Sequence, residues 1–218
     1  TDNSGVSHSL SLNDPLRMRE VGPRRFAVKG TPTDCVILAV RHILSDRKPD
    51  LVISGVNRGC NLAEDVIYSG TVAGAKEGTV LGIPSFALSQ CFGPGSRENP
   101  RWDTGRVHAA DLIRRVLAIG IPKDVLININ FPDCQPTEVR GVSIASQGKR
   151  DVQMLKIDAR VDGRGNPYYW LAYNRGPRPG PRSGTDLFAI SENRISVTPL
   201  RLDQTDEPFM TTLAGTIK

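Results

Sequence analysis

The sequence predicts an α/β fold, a Rossmann-like three-layer sandwich with a mainly parallel sheet, followed by a β-rich C-terminal extension. Short apolar runs at Leu51-Val52-Ile53, Ile83 to Leu88 and Val125 to Asn130 have the length of strands buried on both faces. Between them lie segments with apolar residues at helical spacing, so strand and helix alternate as in a parallel sheet covered on both sides. Beyond Pro132 that rhythm stops, and short extended segments separated by Pro and Gly take over.

Taken in order, the chain opens on a polar, loop-like stretch, Thr1-Asp2-Asn3-Ser4-Gly5, without an initiator Met, and residues upstream are expected. Arg25-Phe26-Ala27-Val28 reads as a short strand. Gly30-Thr31-Pro32-Thr33-Asp34 reads as a helix start, with Pro in the first turn and Thr and Asp available as caps. Val36, Ile37, Val40, Ile43 and Leu44 keep helical spacing, and the helix should stop by Lys48 because Pro49 disfavours helical geometry before it. Leu51 to Ile53 is the first core strand and ends in a glycine-rich loop. A second helix is expected from Gly70 or Thr71 to about Leu81. A third spans Asp103 to Ile119, with Val107, Ala110, Ile113, Val116 and Leu117 along one side. Val142 to Ile144, Tyr168 to Trp170 and Ile195 to Val197 read as strands in an antiparallel or extended arrangement. The Pro/Gly-broken stretch Arg175 to Gly184 reads as an exposed, mobile loop. The division is therefore 1–132 as catalytic core and 133–218 as β-rich extension, loop and C-terminal oligomerisation segment.

Composition narrows the partners. A net charge of +5, from 28 Lys+Arg against 23 Asp+Glu, suits anionic small molecules. Aromatics are 6% of the chain and are not interleaved with basic residues, so no dedicated nucleic-acid surface is expected. No run approaches the roughly 18 apolar residues of a membrane span, and no membrane association is expected. Cys35, Cys60, Cys91 and Cys134 form no CxxC pair, which excludes zinc-knuckle and thioredoxin-like readings. They are expected as buried small hydrophobes in a reducing cytoplasm.

The densest chemical signal is Ser54-Gly55-Val56-Asn57-Arg58-Gly59-Cys60-Asn61, followed by Tyr68-Ser69-Gly70-Thr71. The first piece follows a predicted parallel strand, at the sheet edge where α/β folds bind ligands. Asn57 and Asn61 each offer an amide oxygen suited to a hard cation and an amide donor suited to phosphate. The second piece begins a helix, where backbone N–H groups and two hydroxyls can face an anion. Gly70, Gly74, Gly78 and Gly82 recur at every fourth residue, and close packing on the sheet accounts for that stripe without a functional role. Neither a dinucleotide-binding nor a P-loop glycine fingerprint occurs.

These residues, continued through Asp65-Val66-Ile67-Tyr68-Ser69-Gly70-Thr71-Val72-Ala73, resemble the central signature of the SurE 5'/3'-nucleotidase family. Asn3-Ser4-Gly5, Gly30 to Cys35, Pro49 to Val52, Gly82 to Ser85, Asn128 to Pro132, Gly184-Thr185-Asp186 and Ser196 to Leu200 match in the right order. The resemblance covers nearly the whole chain. It implies a divalent-metal-dependent phosphatase that hydrolyses nucleoside 5'- and 3'-monophosphates, located in the cytoplasm and assembled as a homodimer or homotetramer. It implies Ser4 and Asn57 as ligands of a Mg²⁺ or Mn²⁺ ion, and Asn61, Ser69, Gly70 and Thr71 as the seat of the substrate phosphate. No residue is assigned to catalysis beyond those two sets.

The family completes its metal site with two aspartates of an Asn-Asp-Asp-Gly motif after its first strand. This sequence lacks that motif, and its first residue corresponds to a point just beyond the family's second strand. The aspartates, first strand and first helix are thus expected to be missing, leaving two neutral ligands and poor metal affinity. A non-catalytic phosphate- or nucleotide-binding module is the alternative. Glu64 and Asp65 read as solvated helix-start acids. His8 reads as a structural or solvent residue, with leaving-group assistance as the second option, and His42 and His108 as surface or packing residues.

Overall fold

The computed structural model describes residues 7–93, 95–150, 155–173 and 180–217. A hairpin comes first, β1 (Arg17–Gly22) antiparallel to β2 (Arg25–Lys29). Helix α1 (Pro32–Leu38) follows, closed by a π-helical turn at Ala39–Ile43. Its start is a capping box: Thr31 Oγ1 accepts the Asp34 N–H at 3.1 Å, and Asp34 Oδ2 accepts the Thr31 N–H at 2.8 Å. Next come β3 (Val52–Arg58), the single-turn α2 (Asp65–Tyr68), α3 (Gly70–Val80), β4 (Ser85–Gln90), α4 (Trp102–Ile119) and β5 (Val125–Phe131). The remainder is β6 (Val142–Ile144), β7 (Leu155–Val161), β8 (Pro167–Tyr173), α5 (Asp186–Ser191), β9 (Ile195–Arg201) and α6 (Glu207–Thr216).

One five-stranded sheet of order β3-β4-β5-β9-β6 forms the centre. Strands β3, β4 and β5 run parallel, β9 is antiparallel to β5, and β6 is parallel to β9. The predicted α/β class is therefore what the chain adopts. Alternation along β5 divides its residues between the two faces. Ile127, Ile129 and Phe131 join Phe86, Leu88, Leu112, Ile113, Ile195 and Val197 in a cluster beneath α4. Leu126 turns the other way, into a cluster with Val66, Val72, Ala75, Ala87 and Leu200 beneath α3. Asn128 and Asn130 share that second face.

Gly74 and Gly78, the two middle glycines of the stripe, serve packing. A side chain on Gly74 would stand 2.7 Å from Ser54 Oγ, and one on Gly78 would strike Ser85 Oγ and Val52. These two contacts also orient the helix. Gly78 lies over Val52 and Gly74 over Ser54, so α3 runs antiparallel to β3 and its first residues point toward the C-terminal end of that strand.

Several elements differ from expectation. Leu51 to Ile53 is not buried on both faces. Val52 and Ile53 begin β3, which among the described residues is paired on one side, with β4, and Ile53 and Val56 are 49% and 45% exposed. The buried side of α4 is Leu112 and Ile113, with Ala109 and Val116 packed beside them, while Val107 faces solvent. Of the expected face, Ile113 and Val116 are on the buried side, while Val107, Ala110 and Leu117 are exposed. Tyr168 to Trp170 is an antiparallel strand as expected, and its partner is β7, in a hairpin separate from the central sheet. Ile195 to Val197 instead joins the central sheet. Of the expected loop Arg175 to Gly184, residues 175–179 lie outside the described part of the chain.

Candidate phosphate-binding site

Strand β3 carries Asn57 to its C-terminal end through a bulge. Ser54 is opposite Ala87 and Asn57 opposite Ser89, so three steps on β3 match two on β4. Gly55 occupies the bulge at φ 125°, and a side chain there would collide with the Leu88 carbonyl oxygen. Only glycine fits. Bulges of this kind re-aim the residues that follow them. Asn57 Nδ2 donates to the Gly59 carbonyl at 3.0 Å, which fixes the amide, and Oδ1 has no hydrogen-bond partner among the described residues.

The next turn is held from beneath by β4 and β5. Asn61, 6% exposed, donates its backbone N–H to Asn130 Oδ1 at 2.8 Å. Its carbonyl accepts Asn128 Nδ2 at 2.9 Å and Asn130 Nδ2 at 3.1 Å. Its own Nδ2 donates to Ser89 Oγ at 2.7 Å, leaving the second amide hydrogen available. The structure thus gives Asn61 a structural duty alongside the expected contact with phosphate. Asn128 and Asn130 themselves escaped the residue-level reading, although two asparagines alternating with Ile in a buried strand are a legible sign of a polar task.

The cysteine expectation is corrected here. The Gly59 N–H donates to the Gln90 carbonyl at 2.8 Å, laying the loop against the end of β4. That brings Cys60 and Cys91 to a Cα separation of 4.5 Å, and the two are joined as a disulfide. Cys35 and Cys134 are free. A pairing across 31 positions leaves no local spacing signal for the sequence to show.

Ser69 begins α3. Its Oγ accepts the Val72 N–H at 3.1 Å and its N–H donates to the Asp65 carbonyl at 2.9 Å. The Gly70 and Thr71 N–H groups, the first two of the helix, have no acceptor among the described residues. Ser69, Gly70 and Thr71 therefore stand together with two open N–H donors and two hydroxyls, at the positive end of an 11-residue helix. With α3 antiparallel to β3, this end faces the same sheet edge as Asn57 and Asn61.

Glu64 and Asp65 are not solvated acids. Arg150 Nη2 lies 2.9 Å from Asp65 Oδ2 and Arg150 Nη1 lies 3.8 Å from Glu64 Oε2. Burial pushes the Asp65 carboxyl above its ordinary range, against the pull of the Arg150 charge and hydrogen bond. The sequence reading missed Arg150 because its partners lie some 85 positions away. His8 pairs with Glu77, Nε2 to Oε2 at 3.0 Å, which fits the structural role. His42 is exposed, and His108 Nε2 lies 3.3 Å from the Pro136 carbonyl.

For the expected divalent ion, the described residues supply one candidate ligand, Asn57. Ser4 lies outside them. Among the described residues no group of three or more His, Cys, Asp or Glu converges. The described residues do not by themselves make a carboxylate-rich Mg²⁺ or Mn²⁺ site.

The family model for "Survival protein SurE" matches residues 1–154. The chain belongs to the SurE family. It is 62% identical over 218 residues to a Methylorubrum extorquens (strain PA1) protein named "5'-nucleotidase SurE". A Methylobacterium nodulans protein of the same name is 64% identical over 214 residues. The chain spans 85% and 84% of these SurE relatives, which cover 100% and 98% of it. The crystal structure of the SurE protein from Aquifex aeolicus superposes with a TM-score of 0.81 at 40% identity, covering 99% of this chain and 85% of that one.

Proposed function

We propose that this chain is a nucleotidase that hydrolyses the phosphate ester of nucleoside 5'-monophosphates, and of 3'-monophosphates as well, using a divalent cation. One observation carries the reading: the N–H groups of Gly70 and Thr71, without an acceptor among the described residues and flanked by the Ser69 and Thr71 hydroxyls, face the sheet edge where Asn57 and Asn61 sit. The relatives named 5'-nucleotidase support the same reaction class, and nothing in their names favours a non-catalytic module. The helix start receives the phosphoryl oxygens as hydrogen-bond acceptors. As charge builds on the equatorial oxygens, those fixed donors stabilise it without reorganising. A Mg²⁺ or Mn²⁺ ion, when bound, would supply Lewis-acid polarisation of the phosphoryl group. Asn57 Oδ1 is the described atom that would help to hold such an ion.

Phosphate release from adenosine and guanosine monophosphates, with Mn²⁺ and then with chelator, tests the reading. Metal-dependent release that disappears in Asn57→Ala is expected. Full activity in that variant would overturn the role given to Asn57.

We also propose a homodimer or homotetramer. The β7–β8 hairpin carries Trp170 and Leu171 at 58% and 73% exposure, and α6 buries none of its residues while Phe209 and Met210 face outward. Apolar area of that extent supports a protein partner, here further copies of the chain. A cytoplasmic location belongs to the same proposal, with the Cys60–Cys91 bridge forming where the chain meets an oxidising medium. Among the described residues no helix is long and apolar enough to cross a membrane.

A further inference from the structure

Residues 62–65 connect the Asn57–Asn61 loop to α2, and their polar groups are met from far along the chain. Asp186 is fully buried and accepts the N–H groups of Ala63 at 2.9 Å, Gly148 at 2.9 Å and Leu187 at 2.7 Å. The Arg150 guanidinium donates to the Leu62 carbonyl and to Asp65 Oδ2, both at 2.9 Å. The Arg150 N–H donates to the Glu64 carboxylate at 3.0 and 3.2 Å, and Gln147 Nε2 donates to the Ala63 carbonyl at 3.0 Å. Every residue from Leu62 to Asp65 is thus gripped by the stretch 147–150 or by Asp186.

What the grip controls follows from α2. That helix has four residues, too few to hold its own direction. Asp65 opens it, and the Asp65 carbonyl accepts the Ser69 N–H at 2.9 Å. A displacement of Asp65 therefore passes through one hydrogen bond to Ser69, the cap of α3. Ala63 adds to the demand, since it sits at φ 52°, a conformation that a residue with a Cβ keeps only when its surroundings enforce it.

We propose that Arg150 and Asp186 are positioning residues for phosphate binding, holding residues 62–65 so that Ser69, Gly70 and Thr71 present their donors at the right place. The inference rests on the nucleotidase reading of that helix start. Donors that must meet a phosphate tolerate about 0.5 Å of error, and a shift near 1 Å can cost roughly a hundredfold.

The test is calorimetric titration of inorganic phosphate into the whole chain and into Arg150→Met, Arg150→Lys and Asp186→Asn, each well below its melting temperature. Arg150→Met is expected to weaken phosphate binding about tenfold or more. Arg150→Lys should recover part of the loss, because it keeps the charge beside Asp65 without the guanidinium fork. Asp186→Asn should also weaken binding. If it does not fold, Arg150→Met decides, because it leaves the three bonds to Asp186 in place. Wild-type affinity in folded Arg150→Met, with only its melting temperature lowered, would overturn the inference and leave a structural staple. Wild-type chain that binds no phosphate would instead overturn the reading of the helix start itself.

Discussion

Asn128 and Asn130 stand two residues apart on β5, on one face, both wholly buried. Replacing either with Ala deletes the same atoms from the same kind of surroundings, so the cost of the cavity largely cancels between them. What differs is the hydrogen bonding. Asn130→Ala strips the Asn61 N–H of its acceptor and removes one of two donors to the Asn61 carbonyl. A buried N–H left without a partner costs about 1–3 kcal/mol, and the lost donor about 1 kcal/mol more. Asn128→Ala removes only the other donor to that carbonyl, which Asn130 still serves. It also removes Oδ1 of Asn128, a buried oxygen with no partner among the described residues, so part of the loss is offset. The expected difference is about 2 kcal/mol, roughly a thirtyfold change in the unfolding equilibrium. Urea denaturation with matched slopes should place the Asn130→Ala midpoint about 1 M below that of Asn128→Ala. Coincident midpoints, or the reverse order, would refute the assignment of Asn130 as the principal support of the loop.

Acid should weaken the fold through Asp34. Burial raises its carboxyl, but hydrogen bonds from Thr31 and Ser11 outweigh this and hold it below the ordinary value of 3.8. A depressed folded pKa gives stability that is complete above the unfolded value and lost as pH falls through the folded one, so Asp34→Asn should flatten the decline in thermal melts below about pH 4. The Cys60–Cys91 bridge closes a span of 31 residues, and chain entropy assigns it about 3–4 kcal/mol. A reductant should lower the melting temperature of the wild type and leave Cys60→Ser unmoved; equal sensitivity of the two would count against the bridge. Light scattering should find more than one chain per particle, with Trp170→Glu reducing the mass. A monomeric wild type would remove the oligomer from the account.

Short apolar runs and helical spacing made the parallel core legible, because Val125 to Asn130 announces a strand and the Thr31 to Asp34 start announces a helix. The candidate site was legible as two short motifs, Asn57 to Asn61 and Ser69 to Thr71. Their surroundings were not. Asn130 meets Asn61 across 69 positions and Asp186 meets Ala63 across 123, and no local pattern encodes contacts of that range. The same reason hid the disulfide. The exposure of Ile53 was not legible either, since Leu51-Val52-Ile53 has the composition of a strand covered on both faces whatever lies beside it. Local rules succeed where a residue's partners are its chain neighbours, and here the site's supports come from the other half of the molecule.

The most direct measurement is a titration of isotope-labelled chain with adenosine monophosphate, following backbone amide resonances. We expect the largest shifts at Gly70 and Thr71, whose N–H groups have no acceptor among the described residues, with smaller ones through residues 57–61. Shifts that leave Gly70 and Thr71 unmoved and gather elsewhere would contradict the phosphate seat on which the proposed activity stands.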